Sequence, residues 1–232
     1  MYSLGIYESR SKKIYEAHSY VLISLSMLIV CGMTASAIVA SKLIDFFGLI
    51  FPFSNITFTL FTFPIIDAIC ELYGKKKAYL VSVLGVIAQI LFVLVINVSV
   101  IFPHASIWHH EEVYELILLK SKFVVLATII GFGIAQFIDV YIFQYIKNLC
   151  HGRWLWLRCL FSSTLGQLVD SIIFTFIVFW SFKGKYVLIK GAFITKTILC
   201  FFGVFVTYLI VIIVKNYINK WKFKDANQIV IE

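Results

Sequence analysis

Apolar runs of about 20 residues recur along this chain, and that is the length an α-helix needs to cross the ~30 Å hydrocarbon core of a bilayer. The segments YVLISLSMLIVCGMTASAIVA, AYLVSVLGVIAQILFVLVINVS and ILCFFGVFVTYLIVIIV are apolar all the way round, whereas a helix lying on a soluble core keeps a polar face. Composition agrees, since 61% of the 232 residues are hydrophobic and 14% are charged. A soluble domain is nearer one half and one quarter. The chain therefore reads as an all-α, polytopic membrane protein. Its six helices are predicted over Tyr20–Ala40, Leu49–Tyr73, Ala78–Ser99, Phe123–Ile146, Leu155–Trp180 and Val187–Val214. Residues 1–19 and 215–232 are left as polar tails flanking a transmembrane unit over 20–214. In the sixth helix, Lys190 and Lys196 are expected to snorkel or to lie outside the membrane.

The formal net charge of +8 would point to nucleic acid on a soluble protein, but here its distribution is topological. With the N-terminus inside, the external segments hold Lys42, Lys120, Lys122, Lys183, Lys185, Lys190 and Lys196. The other thirteen of the twenty lysines and arginines fall on the cytoplasmic side, led by Lys75-Lys76-Lys77 and the basic C-terminal tail. Both termini are thus expected in the cytoplasm, with no nucleic-acid partner. The N-terminal region imitates a secretory signal ending in Ala35-Ser36-Ala37. Its apolar stretch is longer than a signal core, however, and the first helix is read as retained. Five cysteines form no C-x-x-C pair and read as small buried apolar residues.

Four acids, Asp67, Glu71, Asp139 and Asp170, lie inside predicted helices. Each costs at least about 2.5–3.5 kcal/mol there on insertion scales, so an intramembrane acid marks a cavity-facing site by default. Glu71, next to the lysine cluster, equally fits an interfacial or structural pair. Asp170 is in mid-helix and far along the chain from any basic residue. Asp67 and Glu71, four apart, share a helix face. Gln136 and Asp139 repeat the spacing of Gln167 and Asp170, and Ser163 extends the latter into a stripe at i, i+4 and i+7. Such a stripe must face protein or water, because lipid cannot satisfy its hydrogen bonds. It can line a solute site, or it can serve as interhelical glue worth about 0.6 kcal/mol per contact. Pro64, one turn before Asp67, removes a backbone hydrogen bond and frees a carbonyl, as in the broken helices of membrane binding sites. A kink that only improves packing is the alternative.

The run His109-His110-Glu111-Glu112 lacks HExxH spacing and reads as a solvated external loop. No phosphate loop, nucleophile elbow or other catalytic signature is present, so no catalytic residue, metal or cofactor is expected. Most aromatics are assigned to lipid contact or interface belts, Trp154 and Trp156 among them.

Three stretches carry a family resemblance: ASKLIDFFG, FPIIDAICELYGKKKA and GFGIAQFIDVYIFQYIKNLCHGRWLWLRCLFSSTLGQLVDSIIFTFIVFW. Over roughly residues 20–215 the chain resembles the queuosine-precursor transporters, within the larger vitamin uptake transporter group. One departure is Ala135, where that family often has glycine before the first glutamine. The resemblance implies a transporter of the inner membrane that imports a 7-deazaguanine (the cyano base preQ0, the aminomethyl base preQ1, or queuine) for tRNA modification. Its substrate-binding residues would be Asp170 and Gln167, then Asp139 and Gln136, then Asp67 and Glu71, with Ser163 as a lesser candidate. The chemistry fits. A guanine-like base presents N1–H and an amine to a carboxylate, and its O6 and N7 accept from an amide. A homo-oligomer, a separate energy-coupling module and coupling to protons or ions all stay open, as does a 3+3 inverted repeat. The rival readings are a transporter of another planar heterocycle or vitamin, a membrane-embedded enzyme, and a scaffold whose polar stripes are only glue.

Overall fold

The computed structural model describes residues 2–40, 42–103, 105, 107–119, 121–180 and 184–228, and the side chains among them except in 2–13, 116–125 and 221–228. The basic side chains of Arg10, Lys12, Lys13, Lys120, Lys122, Lys183, Lys222 and Lys224 lie outside that description.

The elements run α1 (Tyr2–Val39), β1 (Leu43–Phe46), β2 (Leu49–Pro52), α2 (Ser54–Thr57), a π-helical turn (Phe58–Thr62), α3 (Phe63–Tyr73), α4 (Lys75–Ile101), α5 (Glu111–Leu119), α6 (Ser121–Leu149), α7 (Leu155–Val178) and α8 (Lys185–Gln228). Among the described residues, six stretches are long and apolar enough to cross a membrane: Ile14–Val39, Ser54–Tyr73, Lys75–Ile101, Leu126–Leu149, Leu155–Val178 and Lys185–Lys220. The protein is thus a multi-pass, six-span helical bundle. Within the ends expected as polar tails, residues 2–19 and 215–228 are helical continuations of α1 and α8.

The second span starts later than the apolar pattern predicts. Leu49–Phe53 do not open the helix, because Leu49–Pro52 pair antiparallel with Leu43–Phe46, from Leu43 opposite Pro52 to Phe46 opposite Leu49. Phe47 and Gly48 close this hairpin with φ of 53° and 78°, the positive pair that a two-residue turn matching strand twist requires. The Gly48 N–H donates to Asp45 Oδ1 at 3.0 Å. The hairpin lies on α8, where a Cβ on Gly191 would come within 2.5 Å of the Ile50 carbonyl oxygen. Only glycine permits that approach.

Pro64 has no N–H to give, and its ring would crowd the carbonyl four residues back. The chain widens into the π turn Phe58–Thr62 just before it, a recognised way to absorb such a break. Thr207 on α8 donates to the Pro64 carbonyl at 3.3 Å. By contrast α7, which the inverted-repeat idea would pair with this span, is continuous.

The core joins Ile29 and Met33 of α1, Ile65, Ile66 and Ile69 of α3, and Phe132 and Phe143 of α6. α4 sits at the periphery and exposes Leu80, Leu84, Leu91, Val95 and Val98, an apolar surface suited to lipid. α6 and α7 make the most extensive pairing. They approach through small residues, since a Cβ on Gly166 would stand 3.0 Å from the Ala135 carbonyl oxygen and 3.1 Å from Asp139 Cβ. Close backbone contact of this kind is how helices associate in lipid. Phe53 follows the hairpin, Phe179 ends α7 and Leu188 begins α8 at one end of the bundle, here the hairpin face. The junctions α3–α4 and α6–α7 lie at the other, the terminal face.

Candidate functional site

Three polar layers follow one another along the bundle, and α7 contributes to each. The expected stripe Ser163–Gln167–Asp170 does point at other protein: Ser163 meets α3, Gln167 meets the π turn and α8, and Asp170 meets α8.

At the hairpin face, Asp170 accepts from Lys196 of α8 at 2.5 Å. Lys196 does not reach out to the protein surface as a snorkelling lysine would: it is 4% exposed. It also overturns the view of Asp170 as remote from any base, because sequence distance said nothing about a neighbouring helix. The pair sits in the wall of a cavity of about 470 Å³ with Ser54, Asn55, Phe58, Thr128, Phe174 and Thr175. Asn55 Nδ2 is buried there without a hydrogen-bond partner, so it is a donor free for a solute. Gly131 of α6 lets the helices close around Asp170, since a Cβ there would lie 2.9 Å from its Oδ1.

The middle layer is drier. Ser163 donates to Asp67 Oδ2 at 3.2 Å, and Gln136 Nε2 donates to Asp139 Oδ2 at 3.3 Å. Asp139 lies against Asp67 and within reach of Ser162 and Ser163. Thr59, on the π turn, donates to Gln167 Oε1 at 2.8 Å, and Gln167 Nε2 reaches Cys200 Sγ at 3.0 Å. A second cavity of about 190 Å³ is lined by Thr59, Pro64, Asp67, Ser163, Gln167 and Cys200, among others. Asp139 and Gln136 line neither cavity. Neighbours on the chain divide between the two spaces, with Phe58 and Ser171 on the larger, Thr59 and Gln167 on the smaller. One layer of side chains separates them.

At the terminal face, Glu71 meets Lys147 of α6 and Arg158 of α7, each at 2.7 Å. Arg158 also donates to the Gly152 carbonyl at 3.2 Å, and its guanidinium stands over the Phe143 ring at 5.2 Å. Lys75, Lys76 and Lys77, the neighbours that suggested an ion pair, stay exposed in the first turn of α4.

Of the seven residues singled out from sequence, Asp67, Ser163 and Gln167 share one cavity and Asp170 faces another. Gln136 and Asp139 back onto Asp67, and Glu71 forms a separate ion triad. Sequence reading missed Lys196, Arg158, Thr59 and Asn55. Thr59 carried a faint signal, since Thr57, Thr59 and Thr62 cluster in an otherwise apolar span. Cys70, Cys159 and Cys200 are buried as expected, whereas Cys31 is exposed. Glu111 and Glu112 open α5 rather than a loop, where their charge suits the positive helix end. Among the described residues, no group of three His, Cys, Asp or Glu side chains is placed to hold a metal.

A six-span bundle with two cavities strung along an internal polar seam is an architecture that suits a membrane transporter. The chain belongs to the family described as "Putative vitamin uptake transporter", whose model matches residues 52–221. It is also 29% identical over 139 residues to the "Probable queuosine precursor transporter" of Bacillus subtilis (strain 168), a match spanning 60% of each chain. This protein thus aligns with about three-fifths of that relative's length. No solved structure matches it. The family is one of transporters, not of enzymes.

Proposed function

We propose that this protein imports a 7-deazaguanine precursor of queuosine across the inner membrane, with its terminal face and both chain ends in the cytoplasm. The observation that carries this reading is the smaller cavity. There Asp67 offers a carboxylate, with Oδ1 unpartnered, one cavity wall away from the amide of Gln167. A carboxylate accepts the paired N1–H and amine donors of a guanine-like ring, and an amide and hydroxyls complement its acceptor edge. Adenine-like and pyrimidine rings lack that donor pair.

The larger cavity, with Asp170, Lys196, Asn55 and the rings of Phe58 and Phe174, receives the solute first. One layer of side chains, with Phe58 on the larger cavity and Gln167 on the smaller, divides the two. The solute therefore reaches Asp67 only as the layer of Phe58 and Gln167 parts. Orientation follows from the lysines and arginines concentrated at the terminal face.

The test is equilibrium binding to purified protein. Retention of a 7-deazaguanine base, with weak or absent binding of a 7-deazaadenine lacking the N1–H and 2-amine donors, is the expected result. Asp67→Asn should erase most of the preference, worth about 10⁴-fold or more where a site is built to pair a polar group. Equal binding of both bases to the wild type would contradict the assignment and favour a carrier of planar heterocycles in general. Unchanged binding in both Asp170→Asn and Gln167→Ala would point instead to a scaffold.

A further inference from the structure

Three buried acceptors of the middle layer stand without a hydrogen bond. Asp67 Oδ1, Asp139 Oδ1 and Gln136 Oε1 are all buried and all without a partner, and Gln136, 1% exposed, is tied into the layer through its bond to Asp139. Ser163 has one hydroxyl hydrogen, which goes to Asp67. No cation makes up the difference: among the described residues Lys147 and Arg158 are held by Glu71 and Lys196 by Asp170. The titratable groups that face Asp139 are Asp67 and Cys70 from α3, Tyr79 from α4, Cys159 from α7 and Cys200 from α8. None of them brings positive charge. Two carboxylates in contact, buried and unpaired with any cation, are costly to hold as two full charges.

The two acids also differ in access. Asp67 lines the smaller cavity, whereas Asp139 is wholly buried and stands behind it. A solute can touch the first, and only something without bulk can reach the second. We propose that Asp139 carries a coupling proton, exchanged through Asp67, so that solute import is proton symport. This rests on the transport reading above and names its driving ion. With the proton on Asp139, its O–H donates to Asp67 and fills one of the empty acceptor positions. Asp67 then keeps its negative charge for the donor edge of the solute. As the bundle opens toward the terminal face, solute and proton leave together, one of each, and the empty protein returns.

Proteoliposomes holding the full chain test this with labelled preQ0 as the probe. An inward proton gradient of one pH unit should drive up to about tenfold accumulation at one proton per solute, since 1.4 kcal/mol corresponds to tenfold. Solute entry should in turn acidify the lumen, read by a trapped pH dye. Asp139→Asn should keep preQ0 counterflow, which needs no net driving force, and lose both gradient-driven accumulation and the dye signal. Counterflow without any dye signal in the wild type would overturn the proposal, as would accumulation that follows a sodium gradient instead. So would gradient-driven uptake retained in Asp139→Asn. If that variant fails to fold, the wild-type dye signal still decides. Absence of wild-type counterflow with preQ0, preQ1 and queuine alike would strike at the solute assignment, and a failed coupling test with counterflow intact would not.

Discussion

The two ends of the polar seam neutralise a half-buried carboxylate in different ways. At the hairpin face, Asp170 has a single ammonium partner, Lys196, and both line a cavity of about 470 Å³. At the terminal face, Glu71 holds two cations, and neither it nor they line either cavity. Arg158 there is further fixed by a carbonyl and an aromatic ring. On the proposed function, one end is a wall that a solute can touch, and the other is a closure. This asymmetry is what one state of an alternating-access carrier requires: access from one side, a seal on the other and a binding layer between.

Removing one partner should hurt most at the end that has only two. Lys196→Met leaves Asp170 charged and unpaired; breaking a fully buried pair costs about 3–5 kcal/mol, and the half-buried Asp170 sets the cost toward or below the lower end. A clear fall in melting temperature in detergent is expected, largely restored in the Lys196→Met/Asp170→Asn double variant. If the single variant melts like the wild type, the pair does not hold the cavity wall together. Arg158→Met should cost less, because Glu71 keeps Lys147, and lost hydrogen bonds to charged groups are worth about 1.5–3 kcal/mol. Its distinguishing effect is access: Cys159, adjacent in sequence and 2% exposed, should become reactive to a membrane-impermeant maleimide applied at the terminal face. Lys196→Met should not expose it. Equal labelling in both variants would erase the contrast between wall and closure. The smallest effect is expected between the two ends. Thr59→Val removes the donor to Gln167 at nearly constant shape, about 0.5–1.5 kcal/mol, which should appear as a several-fold weaker preQ0 affinity with little change in melting temperature.

The same comparison shows what a reader of the sequence could and could not see. The spans were legible because length and all-round apolarity are intrinsic to each segment. The α7 stripe was legible too, since helical periodicity fixes which residues share a face. Its partners were not. Lys196 is 26 residues from Asp170 on a separate helix, and no local spacing signals that meeting. A lysine near a predicted helix start is ordinarily a snorkelling lysine, and an arginine beside a basic loop ordinarily faces lipid headgroups. For Arg158, the Glu71 carboxylate and Phe143 ring supply the reason it is buried instead. The β-hairpin escaped because Leu49–Phe53 is a short apolar run, for which periodicity does not separate strand from helix. The Gly48 turn was the available clue. Asp67 and Asp139 stood out as acids in the membrane, but their mutual contact depends on how α3 packs on α6.

Uptake complementation reaches the import assignment most directly. Cells unable to make 7-deazaguanines would express this chain, receive preQ0, preQ1 or queuine, and be scored for queuosine in tRNA. Rescue by at least one precursor with the wild type, and its loss in Asp67→Asn expressed at equal level in the membrane, is the predicted result. No rescue by any precursor, with membrane expression confirmed, would contradict it.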